Sequence, residues 1–408
     1  MTTMIPAFRG WRVVRAAFVV AAFGWGVGFY GPPVFLHAVQ AARGWGVAAV
    51  SAAMTLHFLA GAAVVANLAG IHARFGLVAV TRAGAVLAAL GVIGWAMAEA
   101  PWQLFAATCL SGAGWAMTGA AAINAMVSPW FARRRPAALA MAFNGASIGG
   151  VIFSPLWVAA IAALGFPLAA AVMGGAMVMA LWWLSARHFG ETPASVGERV
   201  DGEAVDAPAR ALRDAALLVG GPWRDRRFRT LALGSALGLF AQIGLIAHLL
   251  LLLVPALGAQ GAGLAMGGAT ACAVAGRTVM AAALRDGADR RAALAATYGG
   301  QVAGCALLLV GLGGSVAAIL ADVAFFGLGL GNATSLPPLV AQADFAERDV
   351  ARVVALSTAV GQATYAFAPA AFGVMREVVE RDGVVFVAAA VVQVAAAWVV
   401  WQGRGGRE

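Results

Sequence analysis

No lysine occurs anywhere in the chain, and all 27 basic residues are arginine. Charge of either sign is scarce: 11% of the 408 residues are charged, against about 25% in soluble domains. With 62% of the residues hydrophobic, that scarcity excludes a soluble globular protein. Cysteine is nearly absent, and Cys109, Cys272 and Cys305 each fall inside a long apolar run. A disulfide framework is therefore not expected, and redox chemistry has no basis. No two histidines stand four residues apart and no cysteine lies beside one, so neither a metal site nor any other cofactor is expected. An intramembrane protease would want a serine–histidine or paired-aspartate constellation, and Asp322 has no intramembrane aspartate partner.

What is present is apolar sequence in lengths that fit a bilayer. A hydrocarbon core about 30 Å thick takes about 20 apolar residues per helix. Twelve such spans are expected, at 12–38, 47–69, 77–98, 102–127, 136–163, 166–186, 228–254, 260–284, 291–312, 314–341, 350–375 and 383–402. Only residues 187–227, with Glu191, Glu198, Asp201, Glu203 and Asp206, read as a polar linker, and they separate the sixth span from the seventh. The expected organisation is a six-helix bundle over 1–186, a cytoplasmic linker over 187–227 and a second six-helix bundle over 228–408.

A net charge of +9 raises the question of nucleic-acid binding, and the distribution of arginine answers it. Arg9, Arg12 and Arg15 precede the first span, Arg74 and Arg82 flank the second gap, and Arg133, Arg134 and Arg135 fill the fourth. Arg187 to Arg229 surround the linker, Arg285, Arg290 and Arg291 occupy the eighth gap, Arg348 and Arg352 the tenth, and Arg404 and Arg407 the end. The odd gaps hold only Arg43, Arg376 and Arg381. This asymmetry obeys the positive-inside rule with both termini cytoplasmic, so the basic residues mark membrane topology and nucleic acid is not an expected partner. The first apolar run continues to about Ala38 with no clear small-x-small cleavage site, which predicts a retained first helix.

The chain also repeats itself. Shifted by 214 positions, the stretch from Ser128 to Pro155 aligns Phe131 with Phe345, Ala132 with Ala346, Arg134 with Arg348, Phe153 with Phe367 and Pro155 with Pro369. At nearly the same offset, Gly112-Ala113-Gly114 in the fourth span matches Gly327-Leu328-Gly329 in the tenth. Two parallel six-helix pseudo-repeats with a substrate site between them are expected. The fold class is an all-α membrane protein.

The run WFARRRPAALAMAFNG, Trp130 to Gly145, resembles the fifth-helix signature of the monocarboxylate transporter family of the major facilitator superfamily. Ala137 stands there for leucine, Ala140 for glycine and Asn144 for the small residue. RGWRVV at 9–14 is similar to the family's Gly-Trp element opening the first helix, without the acidic residue usual there. The resemblance implies the superfamily fold, a small organic anion as substrate, and a monomer. Departures limit what carries over. AGIHARFG, Ala69 to Gly76, keeps Arg74 and Gly76 of the superfamily's second-gap motif but has Ala69 and Ala73 where glycine and aspartate are expected. The absence of lysine removes the substrate-side lysine of many relatives.

Polar residues inside the spans are the candidate site. A charged residue at the centre of a bilayer costs about 2.5–3.5 kcal/mol on insertion scales, so Arg277 in the eighth span should face a cavity or a partner. Its planar fork can hold a carboxylate in two hydrogen bonds at any relevant pH; the resembled family carries a substrate-binding arginine at a comparable place. The alternative for Arg277 is snorkelling toward cytoplasmic headgroups. Asp322, well inside the tenth span, is the candidate for proton coupling, with a structural hydrogen bond as the alternative. His57 and His248 could take a proton or donate to an anion, or serve as packing residues. Gln242, Gln362, Tyr365, Tyr30, Asn124, Asn144 and Asn332 are suited to orienting a small solute or to bonding a neighbouring helix. Gln242 and Gln362 lead that set.

The glycines and prolines of GWGVGFYGPP, Gly24 to Pro33, and NGASIGG, Asn144 to Gly150, suit close helix approach and a rocking interface. The expected function is secondary transport of a small organic monoanion across a bacterial-type inner membrane by alternating access, with a proton as an open co-substrate and lipid as the surroundings. Efflux of a drug-like or other amphipathic solute is the alternative, and a non-transporting membrane receptor the remote one.

Overall fold

The computed structural model describes residues 8–202, 221–284, 288–311, 315–379 and 381–405. Glu203, Asp206, Arg285 and Arg407, placed above in the linker, in the eighth gap and at the chain's end, lie outside them. Lipid offers no partner for a backbone N–H or C=O, so each apolar run must close its own hydrogen bonds as helix. The helices are α1 (Gly10–Gly28), α2 (Gly31–Arg43), α3 (Val47–Met97), α4 (Pro101–Thr118), α5 (Ala120–Val127), α6 (Arg135–Leu164), α7 (Phe166–His188), α8 (Arg226–Ala283), α9 (Arg290–Gly311), α10 (Val316–Asp344), α11 (Glu347–Tyr365), α12 (Ala368–Val379) and α13 (Gly383–Gln402).

Eight helical stretches among the described residues are long and apolar enough to cross a bilayer, α1 and α2 together forming one of them. Two turn back on themselves without a loop. α3 turns at Gly76 (φ 77°, ψ 158°) and α8 at Gly258 (φ 67°, ψ 168°), conformations that a residue with a Cβ takes only under strain. The broken helices α4–α5 and α11–α12 add two crossings. The total among the described residues is twelve, one for each apolar run of the sequence. The interruption in the first span sits at Phe29 and Tyr30, whose N–H groups both bond the Trp25 carbonyl, just before Pro32 and Pro33, which have no N–H to give.

The described residues form two compact units, one of residues 8–32, 56–153 and 159–202, the other of residues 33–55, 154–158 and 221–405. The glycine repeat does equivalent work in each. In the first unit a Cβ on Gly112 would strike the His57 carbonyl of the second span, and one on Gly114 would strike the backbone of Ala88 in the third. In the second, Gly327 meets the Ala269 carbonyl of the eighth span and Gly329 the Gln301 side chain of the ninth. Each G-x-G thus seats its helix closely against two neighbours, on backbone at Gly112, Gly114 and Gly327 and on a side chain at Gly329.

The two motifs that carry the family resemblance touch one another in the first unit. Phe131 packs at 4.9 Å on Trp11 and at 5.5 Å, edge to face, on Phe8. Farther along α6, Gly145 and Gly149 lie against the carbonyls of Phe18 and Ala22 on α1. Gly145-Ala146-Ser147-Ile148-Gly149 also has the spacing of a hydrolase nucleophile elbow. That motif needs a strained strand-to-helix turn, whereas here it lies within continuous helix with Ser147 buried.

The arginine triplet has an acidic counterpart in the linker. The N–H groups of Ala132, Arg133 and Arg134 all point at the carboxylate of Asp201, with Arg133 N–H at 2.7 Å. Asp201 is buried and holds φ at 63° to reach them. Nearby, the Arg9 guanidinium pairs with Glu191 at 2.9 Å and the Arg9 N–H with Glu198 at 3.0 Å. The linker is therefore strapped across the entrances of α1 and α6.

At the corresponding end of the second unit, the buried Arg291 serves four partners. Its Nε donates to Asp344 Oδ2 at 2.6 Å, Nη1 to Thr230 Oγ1 at 3.0 Å and to the Val400 carbonyl at 3.3 Å, and Nη2 to the Arg227 carbonyl at 2.7 Å. One guanidinium thereby joins α8, α9, α10 and α13.

Candidate functional site

In the second unit three of the expected site residues meet one short stretch of α10, Leu330 to Asn332. The half-buried Arg277 lays its stem over Gly331: a Cβ there would come within 3.0 Å of Arg277 Nε. Asn332 Nδ2 donates to the Gly276 carbonyl at 3.3 Å and to the Leu328 carbonyl at 3.1 Å. Its Oδ1, equally buried, has no hydrogen-bond partner among the described residues. Gln242 Nε2 reaches the Leu330 carbonyl at 3.4 Å.

Gln242 is also the end of a chain of amides. Gln393 Nε2 donates to Gln301 Oε1 at 2.7 Å, and Gln301 Nε2 donates to Gln242 Oε1 at 2.9 Å. Backbone carbonyls fix the direction at both ends, Leu330 accepting from Gln242 and Gly238, at 3.4 Å, from Gln393. A carbonyl can only accept, so no amide in the chain can be turned over without setting oxygen against oxygen. All three glutamines are buried. Gln301 and Gln393 are missing from the expected site, although each is an amide deep in an apolar span, the same signal that singles out Gln242.

The other expected residues stand apart from that stretch. Asp322 is buried on α10, ten residues before Asn332 and so about 15 Å along the helix; its Oδ1 has no hydrogen-bond partner among the described residues and rests against Gly304 of α9. His248 donates from Nε2 to the Pro369 carbonyl at 3.1 Å, leaving a buried Nδ1 without a partner among the described residues. Gln362 and Tyr365 are half-buried on α11.

In the first unit His57 is fully enclosed and has both nitrogens occupied. Nε2 lies 2.9 Å from the Gly28 carbonyl and Nδ1 2.8 Å from Ser111 Oγ. The carbonyl requires a donor, so the proton belongs on Nε2 and Nδ1 accepts. Tyr30 is buried and stacks edge to face on Phe29 at 5.0 Å. Asn144 is exposed on α6, and Asn124, also exposed, bonds its own helix through the Ala120 carbonyl at 3.0 Å. Around them runs an aromatic cluster: Trp25 against Trp115 at 4.7 Å and Phe143 at 6.0 Å, and Phe29 against Trp115 at 6.2 Å and Phe58 at 6.3 Å. Among the described residues no group of histidine, cysteine and carboxylate side chains could hold a metal.

Helices bearing buried polar groups at their centres are the anatomy of a solute carrier, and the comparisons agree. The Major Facilitator Superfamily profile matches residues 12–369. The chain is similar to monocarboxylate transporter 13 of Rattus norvegicus, 31% identical over 154 residues, which are 36% of this chain and 34% of the relative. It is similar also to monocarboxylate transporter 11 of Mus musculus, 29% identical over 233 residues, 56% of this chain and 48% of the relative. The chain thus spans less than half the length of either relative. Among solved structures it resembles a bacterial homologue of the human lysosomal transporter Spinster, inward-facing and occupied, with a TM-score of 0.72 at 13% identity over 96% of both chains. The nucleoside transporter NupG gives a TM-score of 0.70 at 11% identity over 96% of this chain and 100% of that one. Identities that low show the fold alone. With a profile match over most of its length and a twelve-helix, two-repeat architecture, the chain belongs to the Major Facilitator Superfamily.

Proposed function

We propose that this protein is a secondary transporter of a small organic anion, a monocarboxylate foremost, working by alternating access between six-helix halves at 1–186 and 228–408. The observation that carries the reading is Arg277, a permanent cation half-buried in an otherwise apolar span and laid over the bare backbone of Gly331. An arginine so placed offers a planar fork to a carboxylate where water competes poorly. The names of the two curated relatives support the same substrate class. Asn332, Gln362 and Tyr365 would fit the remainder of the solute, with Tyr30, Asn144, His57 and His248 as further contacts after rearrangement. Gln242 would act from behind, as part of its amide chain. Asp322 would be the proton carrier if transport is proton-coupled, and the protein would act as a monomer in a bacterial-type inner membrane with both termini cytoplasmic.

Export of an amphipathic or drug-like solute is the second reading, favoured by the aromatic cluster of Trp25, Phe29, Phe58, Trp115 and Phe143. Counterflow of labelled lactate, pyruvate and longer aliphatic or aromatic monocarboxylates in proteoliposomes separates the two. Saturable uptake lost in Arg277→Gln, with folding intact, supports the anion carrier. No uptake by the wild type moves the reading to the amphipathic solute, and uptake unchanged in the variant makes Arg277 structural. A pH gradient that fails to drive uptake removes the proton.

A further inference from the structure

Within the second unit, the start of α3 lies antiparallel to α12 in three rungs. Ala48, Ser51 and Thr55 stand at i, i+3 and i+7 of one helix, and Ala370, Gly373 and Glu377 have the same spacing on the other, which puts each trio on a single face. At the first rung the Ala48 N–H donates to Glu377 Oε2 at 2.8 Å. At the third the Ala370 N–H donates to Thr55 Oγ1 at 3.0 Å. At the middle rung Ser51 sits in the space that a side chain on Gly373 would need, since a Cβ there would come 2.6 Å from both Cβ and Oγ of Ser51.

The outer rungs are helix caps given in exchange. Ala48 is in the first turn of α3 and Ala370 in the first turn of α12, where N–H groups have no partner in their own helix. Each helix satisfies one such donor of the other, with Glu377 adding a full negative charge at the positive end of α3. The neighbouring Arg376 is engaged by Asp382, with Nε at 3.0 Å. Close by in the chain repeat, a second contact has the same character: a Cβ on Gly263 would come 2.9 Å from Val158 and 3.3 Å from Pro155, and Gln260 Nε2 reaches the Pro155 carbonyl at 3.5 Å. Both contacts lie toward the arginine-poor ends of their helices.

We infer that this reciprocal capping is a detachable latch, with Glu377 its charged member, that holds the arginine-poor side of the transporter shut and uncaps both helices when it opens. The inference rests on the alternating-access reading. Because opening strands one donor on each helix, the closed state is favoured by bonds that the open state lacks, and Gly373 permits the approach that makes them.

The test is reaction of a membrane-impermeant thiol reagent, added from the arginine-poor side of sealed vesicles, with a cysteine at the buried position 54 (Met54→Cys) after Cys109, Cys272 and Cys305 are changed to alanine. Glu377→Ala should raise the labelling rate about five-fold, the ratio expected for loss of one helix cap. Glu377→Gln, which keeps an acceptor and loses the charge, should raise it less, and Thr55→Val should act in the same direction. Gly373→Leu, a wedge, should raise it most. Labelling unchanged in both Glu377→Ala and Thr55→Val overturns the latch even if Gly373→Leu fails to fold. Labelling that follows the latch variants in a protein that moves no carboxylate sustains the latch and refutes only the substrate.

Discussion

Replacing Arg291 by methionine should be among the most damaging single changes in the second unit. The guanidinium is 4% exposed and its partner Asp344 18% exposed, so solvent screens the pair little. Removing one member of such a pair costs about 3–5 kcal/mol, because the other charge stays buried without compensation. The carbonyls of Arg227 and Val400 and the hydroxyl of Thr230 lose donors at the same time. Lysine keeps the charge but offers three donors from a single point to four acceptors set around a planar fork; one or two bonds should be lost, costing roughly 1–3 kcal/mol. At roughly 2–4 °C per kcal/mol for a unit of this size, Arg291→Met should lower the thermal midpoint in detergent by on the order of 10 °C and Arg291→Lys by about half of that. Asp344→Leu added to Arg291→Met should recover part of the loss by removing the stranded carboxylate. A methionine variant unfolding within about 2 °C of wild type, or a double variant worse than the sum of the two single ones, would refute the assignment of Arg291 as the tie among α8, α9, α10 and α13.

Asp201→Asn should loosen the linker strap: three N–H groups then face a neutral amide, at a cost of about 1–3 kcal/mol, and trypsin should cut at Arg133–Arg135 faster. Asp201→Gly should do the same despite relieving the backbone at φ 63°, because the bonds are lost as well. Gln301→Leu removes a donor and an acceptor from the amide chain; with membrane hydrogen bonds averaging about 0.6 kcal/mol and two buried partners stranded, the loss should be about 1–3 kcal/mol, read as a drop in thermal midpoint. Asp225, the N-cap of α8, has its carboxyl raised by burial but lowered more by the Arg227 side chain and N–H, so it sits below the usual carboxylate range. A depressed pKa stabilises the folded form above the unfolded value near 3.9 and is lost as pH falls through the folded one. Acid unfolding followed below pH 4 should therefore be less steep in Asp225→Ala than in wild type.

The twelve crossings were legible because lipid leaves a chain few options: an apolar run of sufficient length must be a helix, and the arginine gaps order the runs. Gly76 and Gly258 fall in the gaps expected after 69 and after 254, but nothing in a hydropathy pattern announces a turn of one residue. The arginine triplet was legible as a loop between two spans and not as a carboxylate cradle, since the groups that bind Asp201 are backbone amides, which every residue carries. Arg277 stood out because a cation in a bilayer is costly, whereas Gln301 and Gln393 drew no notice because an amide costs less and finds partners that no local pattern specifies. The rungs between α3 and α12 join residues more than three hundred positions apart, and only the folded chain brings them together.

The single-glycine turns at Gly76 and Gly258 also bear on how such a chain is made. A hairpin with no slack cannot leave one arm in the membrane while the other waits in water, so its two arms must enter the lipid as a pair during synthesis.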